Sequence, residues 1–183
     1  SNKGGTSDGD VMTFNDAQNG DGAFGMTGRL VNSKGYTIEL RYQITEVNTP
    51  GTTTLRKYVF QFQGADGSGA QSLNTIQVGM PVADSQLGLY SLGHNLGHPI
   101  TAGEWHTLRI AEEPNSNALL VWSDGVEIVG FDWQSGNNTV NRAWVGDLGT
   151  GITDGNYRVD YFRVDDTGAY APPEPAAPVV AQS

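Results

Sequence analysis

The chain has 183 residues, a net charge of −10 and no cysteine. Its length suits one domain with a sizeable core. The acidity disfavours nucleic acid and anionic membranes as partners, and the missing cysteine excludes disulfides, thiolate metal sites and cysteine nucleophiles. No apolar run approaches the roughly 20 residues of a membrane-spanning helix.

The first quarter of the chain predicts short strands between turn-rich loops. Residues 1–10 are polar and glycine-rich and predict a flexible lead-in. Strands are expected at 11–14 and 23–31, with a loop at 15–22 between them. The clearest alternation of apolar and polar residues covers 36–46, which predicts a strand with one face in the core.

The middle of the chain continues the pattern. Residues 57–63 alternate again, and residues 73–79 and 86–92 predict two further strands. Residues 94–104, HNLGHPITAGE, are interpreted as a loop, because glycine and proline interrupt any regular period.

Residues 105–131 carry the strongest hairpin signal. WHTLRIA, ALLVWS and VEIVGF predict three short strands in succession. The second turn is Asp124-Gly125, and this dipeptide favours the positive φ of a tight primed turn. Three strands within such a short segment leave no room for a helix.

The last part of the chain predicts a polar loop at 132–141 and strands at 142–148 and 156–164. Residues 171–183, APPEPAAPVVAQS, hold four prolines and predict an extended linker or tail. Because the sequence starts with Ser and ends in this segment, we expect the domain to belong to a longer parent protein with other domains.

About ten or eleven strands without any helical period predict an all-β fold, a two-sheet antiparallel β-sandwich. We expect the sandwich to cover residues 11–170. Its core should draw on five segments, 36–44, 58–62, 108–110, 119–121 and 157–161.

Two stretches carry a family resemblance. GEWHTLRI at 103–110, followed by a polar turn, an apolar strand and Asp-Gly, resembles the concanavalin A-like (laminin G-like) jelly-roll superfamily. The end of the domain, WVGDLGTGITDGNYRVDYFRVDDTGAYAPP at 144–173, resembles the closing strand of such domains. The resemblance implies a jelly roll, but lectins, glycan-binding modules, hydrolases, lyases and protein-binding domains all share that fold.

The polar positions of the two best strands are the first candidate site. They are Glu39, Arg41 and Gln43 in one strand and Gln61 and Gln63 in the other. If the two strands pair in one sheet, these groups form a polar surface that can hydrogen-bond sugar hydroxyls. The alternative is the solvated side of a sheet.

Aromatic and histidine residues extend this candidate site. Trp133 lies in a polar loop, which favours stacking on a ligand, and Trp144 alternates with apolar neighbours. Tyr90 and His94 are candidates to line a cleft. His94 and His98 have the i, i+4 spacing of a helical metal site, but the surrounding Gly and Pro argue against a helix.

The resemblance also implies a calcium site. Many jelly-roll glucanases and related modules hold a calcium ion on the convex side of the fold. The matching positions here are Asp160, the carbonyl of Gly35, and Asn15 or Asp16. The alternative for Asp160 is a carboxylate that accepts backbone N–H bonds.

Catalysis is less well supported by the sequence. A retaining glycosidase needs two carboxylates about 5–5.5 Å apart. By resemblance, the laminarinase and lichenase type places them on one strand face in a motif that contains Glu-x-Asp, and this chain contains no Glu-x-Asp. Jelly-roll lyases use an Arg or Gln, a His or Tyr base and a Tyr acid. By resemblance, Arg41, Gln61, Tyr90 and His94 would fill these roles, although the Q-I-H and Y-F-K-A-G motifs of alginate lyases are absent.

Three functions therefore stay open. The first is a non-catalytic, lectin-like module of a secreted or surface bacterial protein, which binds a polysaccharide or glycan and carries a structural calcium. The second is a polysaccharide lyase or glycoside hydrolase. The third is an adhesion domain that binds protein.

Overall fold

The computed structural model describes residues 5–8, 11–16, 22–30, 33–47, 57–65, 71–80, 88–91, 94–116, 118–129, 141–147 and 155–173. The strands in chain order are β1 (Gly5–Asp8), β2 (Val11–Asp16), β3 (Gly22–Leu30), β4 (Tyr36–Val47), β5 (Lys57–Ala65), β6 (Gln71–Met80), β7 (Gly88–Ser91), β8 (His94–Pro99), β9 (Trp105–Glu112), β10 (Leu119–Ser123), β11 (Val126–Glu127), β12 (Asn141–Asp147) and β13 (Gly155–Asp165). These ranges contain no helix, and therefore none long and apolar enough to cross a membrane.

The strands form two antiparallel sheets. The seven-stranded sheet has the order β1-β2-β13-β4-β9-β10-β11, and the six-stranded sheet has the order β3-β12-β5-β6-β7-β8. The predicted two-sheet antiparallel sandwich is thereby confirmed. Consecutive strands β4 and β5 belong to different sheets, so the chain crosses from one layer to the other between them.

Strand β4 is the centre of the seven-stranded sheet. Its apolar positions Tyr36, Ile38, Leu40, Tyr42 and Ile44 are all buried, as the alternation predicts. The strand pairs with β13 on one side and with β9 on the other. Period-two alternation fits a strand that turns one side to the core and the other to the surface.

The core lies between the two sheets. Phe60 of the six-stranded sheet packs on Phe162 of the seven-stranded sheet, with ring centroids 6.4 Å apart. Phe62 and Tyr36 make a second contact between the layers at 6.1 Å. Burying each such side chain stabilises the fold by about 1.5–3 kcal/mol, so these layers hold together by apolar packing.

Two of the turns with positive φ have clear structural consequences. Asp124 and Gly125 have φ of 52° and 82°, and the hairpin they form pairs β10 with β11, as the Asp-Gly signal predicts. Gly35 has φ of 70° just before β4. A Cβ at Gly35 would lie 2.7 Å from the carbonyl oxygen of Glu112, so this position requires glycine.

The structure corrects several sequence predictions. Residues 94–99, interpreted as part of a loop, form strand β8 at the edge of the six-stranded sheet. Residues 5–8, placed in the flexible lead-in, form β1 and pair with β2. Of the strand predicted at 126–131, Val126–Glu127 form β11, residues 128–129 lie outside any strand, and residues 130–131 lie outside the described residues. Edge strands gain their pairing from a neighbour rather than from their own residue pattern, so their sequences signal them weakly.

Candidate functional site

The two sets of polar strand residues lie on different layers. Glu39, Arg41 and Gln43 belong to β4 of the seven-stranded sheet, whereas positions 61 and 63 belong to β5 of the six-stranded sheet. Both strands bury their apolar positions in the same core. The condition for one shared polar surface, pairing of β4 with β5, is therefore not met.

The outer face of the seven-stranded sheet is charged. We call it the charged face; it comprises Thr37, Glu39, Arg41 and Gln43 of β4, Trp105, Thr107 and Arg109 of β9, and Tyr161, Arg163 and Asp165 of β13. The register aligns Arg163, Glu39 and Arg109 across three neighbouring strands. Opposite charges that face each other across strands stabilise a sheet.

Glu39 is the centre of this charged row. Arg109 donates from Nε to Glu39 Oε2 at 2.8 Å and from Nη2 to the same oxygen. Burial opposes ionisation of Glu39, but hydrogen bonds from Tyr161 and Arg109 and the charges of Arg109 and Arg163 outweigh it and lower its pKa. Glu39 is therefore ionised at neutral pH and accepts hydrogen bonds. A general acid must carry the proton that it donates, so Glu39 cannot act as one at neutral pH.

Tyr161 completes the arrangement. Its pKa is raised by burial and by the hydrogen bond and charge of Glu39, so its hydroxyl stays protonated and donates. The guanidinium carbon of Arg163 lies 4.0 Å from the centroid of the Tyr161 ring. This is a cation–π contact made by an exposed arginine.

Arg41 and Gln43 are engaged within the protein. Arg41 Nη1 donates to Asp160 Oδ2 at 2.8 Å, and its guanidinium carbon lies 5.2 Å from the Trp105 ring centroid. Gln43 Nε2 donates to the carbonyl of Gly103 at 2.7 Å. Each side chain thereby uses a donor within the protein, while Arg41 keeps further N–H groups and Gln43 Oε1 is buried without a hydrogen-bond partner among the described residues.

A cavity of about 650 Å³ opens on this side of the molecule. It is lined by Thr37, Glu39, Arg109, Arg163, Val164, Asp165, Asp166 and Tyr170. Two arginines and three carboxylates line it, with Glu39 and Arg109 already paired.

The positions predicted to bind calcium are spread along the sheet. Asp16 is level with Gly155, and Asp160 lies five residues further along β13, about 16 Å away. Arg41 pairs with Tyr161, the residue after Asp160. Gly35 lies six residues before Arg41 in the chain, so Gly35 and Asp160 are about 20 Å apart along the sheet. Calcium holds its oxygen ligands at about 2.3–2.6 Å, so Asp16, Gly35 and Asp160 cannot share one ion.

His106 has a structural role. It is buried, and its Nδ1 lies 2.8 Å from Asp124 Oδ2 while its Nε2 lies 2.9 Å from the carbonyl of Thr101. Asp124 also accepts from the backbone N–H of Thr107 at 2.7 Å. These bonds tie the Asp124-Gly125 turn to the start of β9.

The six-stranded sheet brings a different set of residues together. Its register aligns Trp144 of β12, Gln61 of β5, Gln77 of β6 and Tyr90 of β7 as successive Cα partners. We call these four positions the glutamine row. Three interstrand spacings make the row about 14 Å long.

The glutamine row alternates with core positions. On either side of Gln61, Phe60 and Phe62 are buried, and on either side of Gln77, Ile76 and Val78 are buried. Gln77 was missed by the sequence analysis, although the alternation of residues 75–78 signals its place. A second row of Cα partners joins Arg142, Gln63 and Thr75 beside it.

Other predicted site residues are dispersed. His94 is the Cα partner of Ser91, at the edge of the same sheet as the glutamine row. Arg41 belongs to the opposite layer, so the proposed lyase set of Arg41, Gln61, Tyr90 and His94 is split between the two sheets. Trp133 lies outside the described residues, whereas Trp122 is buried.

The architecture defines the chain as an all-β, two-sheet antiparallel sandwich. No family model and no curated protein matches its sequence, but solved structures share its fold. A Trypanosoma rangeli sialidase is 12% identical, with a TM-score of 0.60, covering 93% of this chain and 27% of that chain. Another sialidase is 10% identical, with a TM-score of 0.57, and the match covers 88% of this chain and 16% of that sialidase. The chain thus spans about a quarter or less of these sialidases.

An alginate lyase from Corynebacterium sp. matches over more of its own length. It is 11% identical, with a TM-score of 0.54, covering 85% of this chain and 77% of that chain. A second alginate lyase, solved with dimannuronate, is 12% identical with a TM-score of 0.53. At these identities the likeness is one of fold.

Proposed function

We propose that this chain is a non-catalytic carbohydrate-binding module of the concanavalin A-like type, and that it binds glycan on its six-stranded sheet. The observation that carries the proposal is the register that aligns Trp144, Gln61, Gln77 and Tyr90 across four strands. Rigid strands hold such groups at fixed spacings, which suits recognition of a regular polymer.

The chemistry of the row suits a sugar chain. Glutamine amides donate and accept hydrogen bonds at once, as pairs of sugar hydroxyls require. Tyr90 and Trp144 add aromatic rings with a polar edge, which pack on the apolar faces of sugars. The row has no formal charge, so it fits a neutral glycan better than a polyanion on a protein of net charge −10.

Two further observations support the proposal. On the charged face of the opposite layer, Glu39, Arg109, Arg41 and Gln43 make ion pairs and hydrogen bonds within the protein. Among the solved structures with this fold, an alginate lyase of which 76% is covered holds dimannuronate, an acidic sugar, so the fold is compatible with glycan binding although the charge argument above favours a neutral glycan for this chain. Following the sequence interpretation, we place the module in an exported or surface protein.

A glycan array followed by titration calorimetry tests the proposal. We expect Trp144→Ala and Gln61→Ala each to weaken binding at least tenfold, which corresponds to about 1.4 kcal/mol. Arg41→Ala on the charged face is the matched control and should bind like the unmodified chain, while Trp133→Ala tests the loop. Loss of binding in Arg41→Ala with binding kept in Trp144→Ala would reverse the assignment of the sheets.

A polysaccharide lyase is the second candidate. Three of its candidate residues, Gln61, Tyr90 and His94, lie on strands of one sheet. The match with the two alginate lyases covers about three quarters of the length of each lyase. Arg142, the Cα partner of Gln63, is one arginine of this sheet that could act in place of Arg41. Incubation with alginate and other uronate polymers decides between the candidates, since a lyase produces unsaturated ends that absorb in the ultraviolet.

A further inference from the structure

The segment after the last strand crosses the charged face. Thr37 Oγ1 donates to the carbonyl of Gly168 at 2.9 Å and accepts from the N–H of Tyr170 at 2.8 Å. One hydroxyl therefore uses both its donor and its acceptor to hold two alternate backbone positions, as a neighbouring strand would. We call residues 166–171 the strap.

Arg109 holds the far end of the strap. Its Nη1 donates to the carbonyl of Ala171 at 2.8 Å and to that of Tyr170 at 3.3 Å. The other side of the same guanidinium binds Glu39. Hydrogen bonds from a charged donor are about twice as strong as neutral ones, so the ion pair and the strap are fastened by one side chain.

The turn that leads from β13 into the strap has hydrogen bonds of its own. Asp165 Oδ1 accepts from the N–H and from the hydroxyl of Thr167, at 2.9 and 2.6 Å. The Thr167 hydroxyl lies 3.1 Å from the Tyr170 hydroxyl. A Cβ at Gly168 would lie 3.1 Å from the Tyr170 hydroxyl, so the tyrosine ring folds back over Gly168 and rigidifies the turn.

Burial beneath the strap supports docking. Thr37 is only 6% exposed and its Cα partner Ala111 is 0% exposed, although their positions alternate with the core residues Ile38 and Ile110. Outer positions of a surface sheet are buried only where another segment covers them. The small side chains at these two positions leave room for a backbone to lie across the sheet.

We infer that the charged face is a docking surface for the chain's own strap, which fixes the direction in which the proline-rich segment leaves the sandwich. The strap starts on β13, crosses β4 at Thr37 and reaches β9 at Arg109, so it heads towards β10 and β11. A proline-rich segment is semi-rigid. Residues 171–173 therefore leave the sandwich on the β10 side, on the layer opposite the glutamine row.

A spin label tests this direction in the full chain. The sequence contains no cysteine, so Ala176→Cys gives a single attachment site five residues after Ala171, and five residues of chain reach at most about 18 Å. We expect the label to broaden backbone amide signals of β9 and β10 and to leave those of β7 and β8 sharp. Equal broadening of both sheets would overturn the inference.

Thr37 variants test whether the two hydrogen bonds of Thr37 hold the strap on the sheet. Thr37→Val keeps the shape of the side chain and removes both hydrogen bonds, whereas Thr37→Ser keeps the hydroxyl. We expect the order parameters of the amides of Gly168 and Tyr170 to be about 0.85 in the unmodified chain and in Thr37→Ser, and to fall below about 0.6 in Thr37→Val. Unchanged order in Thr37→Val, or values already below 0.6 in the unmodified chain, would contradict docking. Preserved amide shifts of the core strands show that Thr37→Val is folded.

Discussion

Glu39 shows how one side chain on the charged face organises its neighbours. Its carboxylate accepts from Arg109 and faces Tyr161 and Arg163. The net effect is a pKa below the usual 4.5. Glu39 thereby joins β4, β9 and β13 to each other, and its contact with a ligand stays a prediction.

The lowered pKa of Glu39 predicts a pH dependence of stability. A carboxyl with a lower pKa in the folded state contributes stability above its unfolded value, about 4.5, and loses it as the pH falls through the folded value. We expect urea unfolding midpoints to fall more steeply below about pH 4.5 in the unmodified chain than in Glu39→Gln. Parallel pH profiles of the two proteins would show that Glu39 does not contribute.

Two leucines test the core at the residue scale. Leu108 is 1% exposed and Leu120 is 37% exposed. We expect Leu108→Ala to lower the free energy of unfolding by about 2–5 kcal/mol, since it leaves a cavity between the sheets. Leu120→Ala is the matched control and should cost about 1 kcal/mol or less. Denaturant titration measures both, and similar losses would mean that the core is assigned wrongly.

At the scale of single elements, two glycine turns differ in a way that can be measured. Gly35 and Gly125 both have positive φ, but a Cβ at Gly35 would press on the Glu112 carbonyl oxygen, whereas a Cβ at Gly125 would meet no atom within 4 Å. Both positions force an added side chain into a left-handed conformation, which costs about 1–2 kcal/mol.

We therefore expect Gly125→Ala to lower the free energy of unfolding by about 1–2 kcal/mol, and Gly35→Ala to lower it by clearly more. The extra loss comes from the contact with backbone, which cannot move aside as the end of a flexible side chain can. Equal losses in thermal or denaturant unfolding would mean that the neighbourhood of Gly35 relaxes freely.

Elements with a regular residue period were predictable, and edge elements were not. The alternation in β4 and β5 identified both strands and their buried positions, because period two reports directly which side meets the core. Strand β8 and strand β1 lack that signal. Each pairs with the strand next to it in the chain, β1 with β2 and β8 with β7, but glycine and polar residues in their sequences leave no period-two alternation to identify them.

For the whole molecule, calcium stays a prediction. No group of three or more His, Cys, Asp or Glu side chains that could hold an ion occurs within the described ranges, and Asp160 pairs with Arg41. If a structural calcium ion is present, chelation should lower the unfolding temperature of the purified chain and added calcium should restore it. The same unfolding temperature with chelator and with millimolar calcium would contradict this prediction. Any change in stability of Asp160→Asn would then report only the loss of the ion pair with Arg41.

The sequence by itself determined the fold class, the buried side of each regular strand and the Asp-Gly hairpin, because these follow from local residue periods and turn preferences. Only the tertiary structure decided which polar residues share a surface. Strands β4 and β5 look alike in sequence, yet they lie in opposite layers, with Glu39 and Arg41 in a charged network and Gln61 in the glutamine row. Pairing of distant strands sets that division, and no local pattern encodes the partner of a strand.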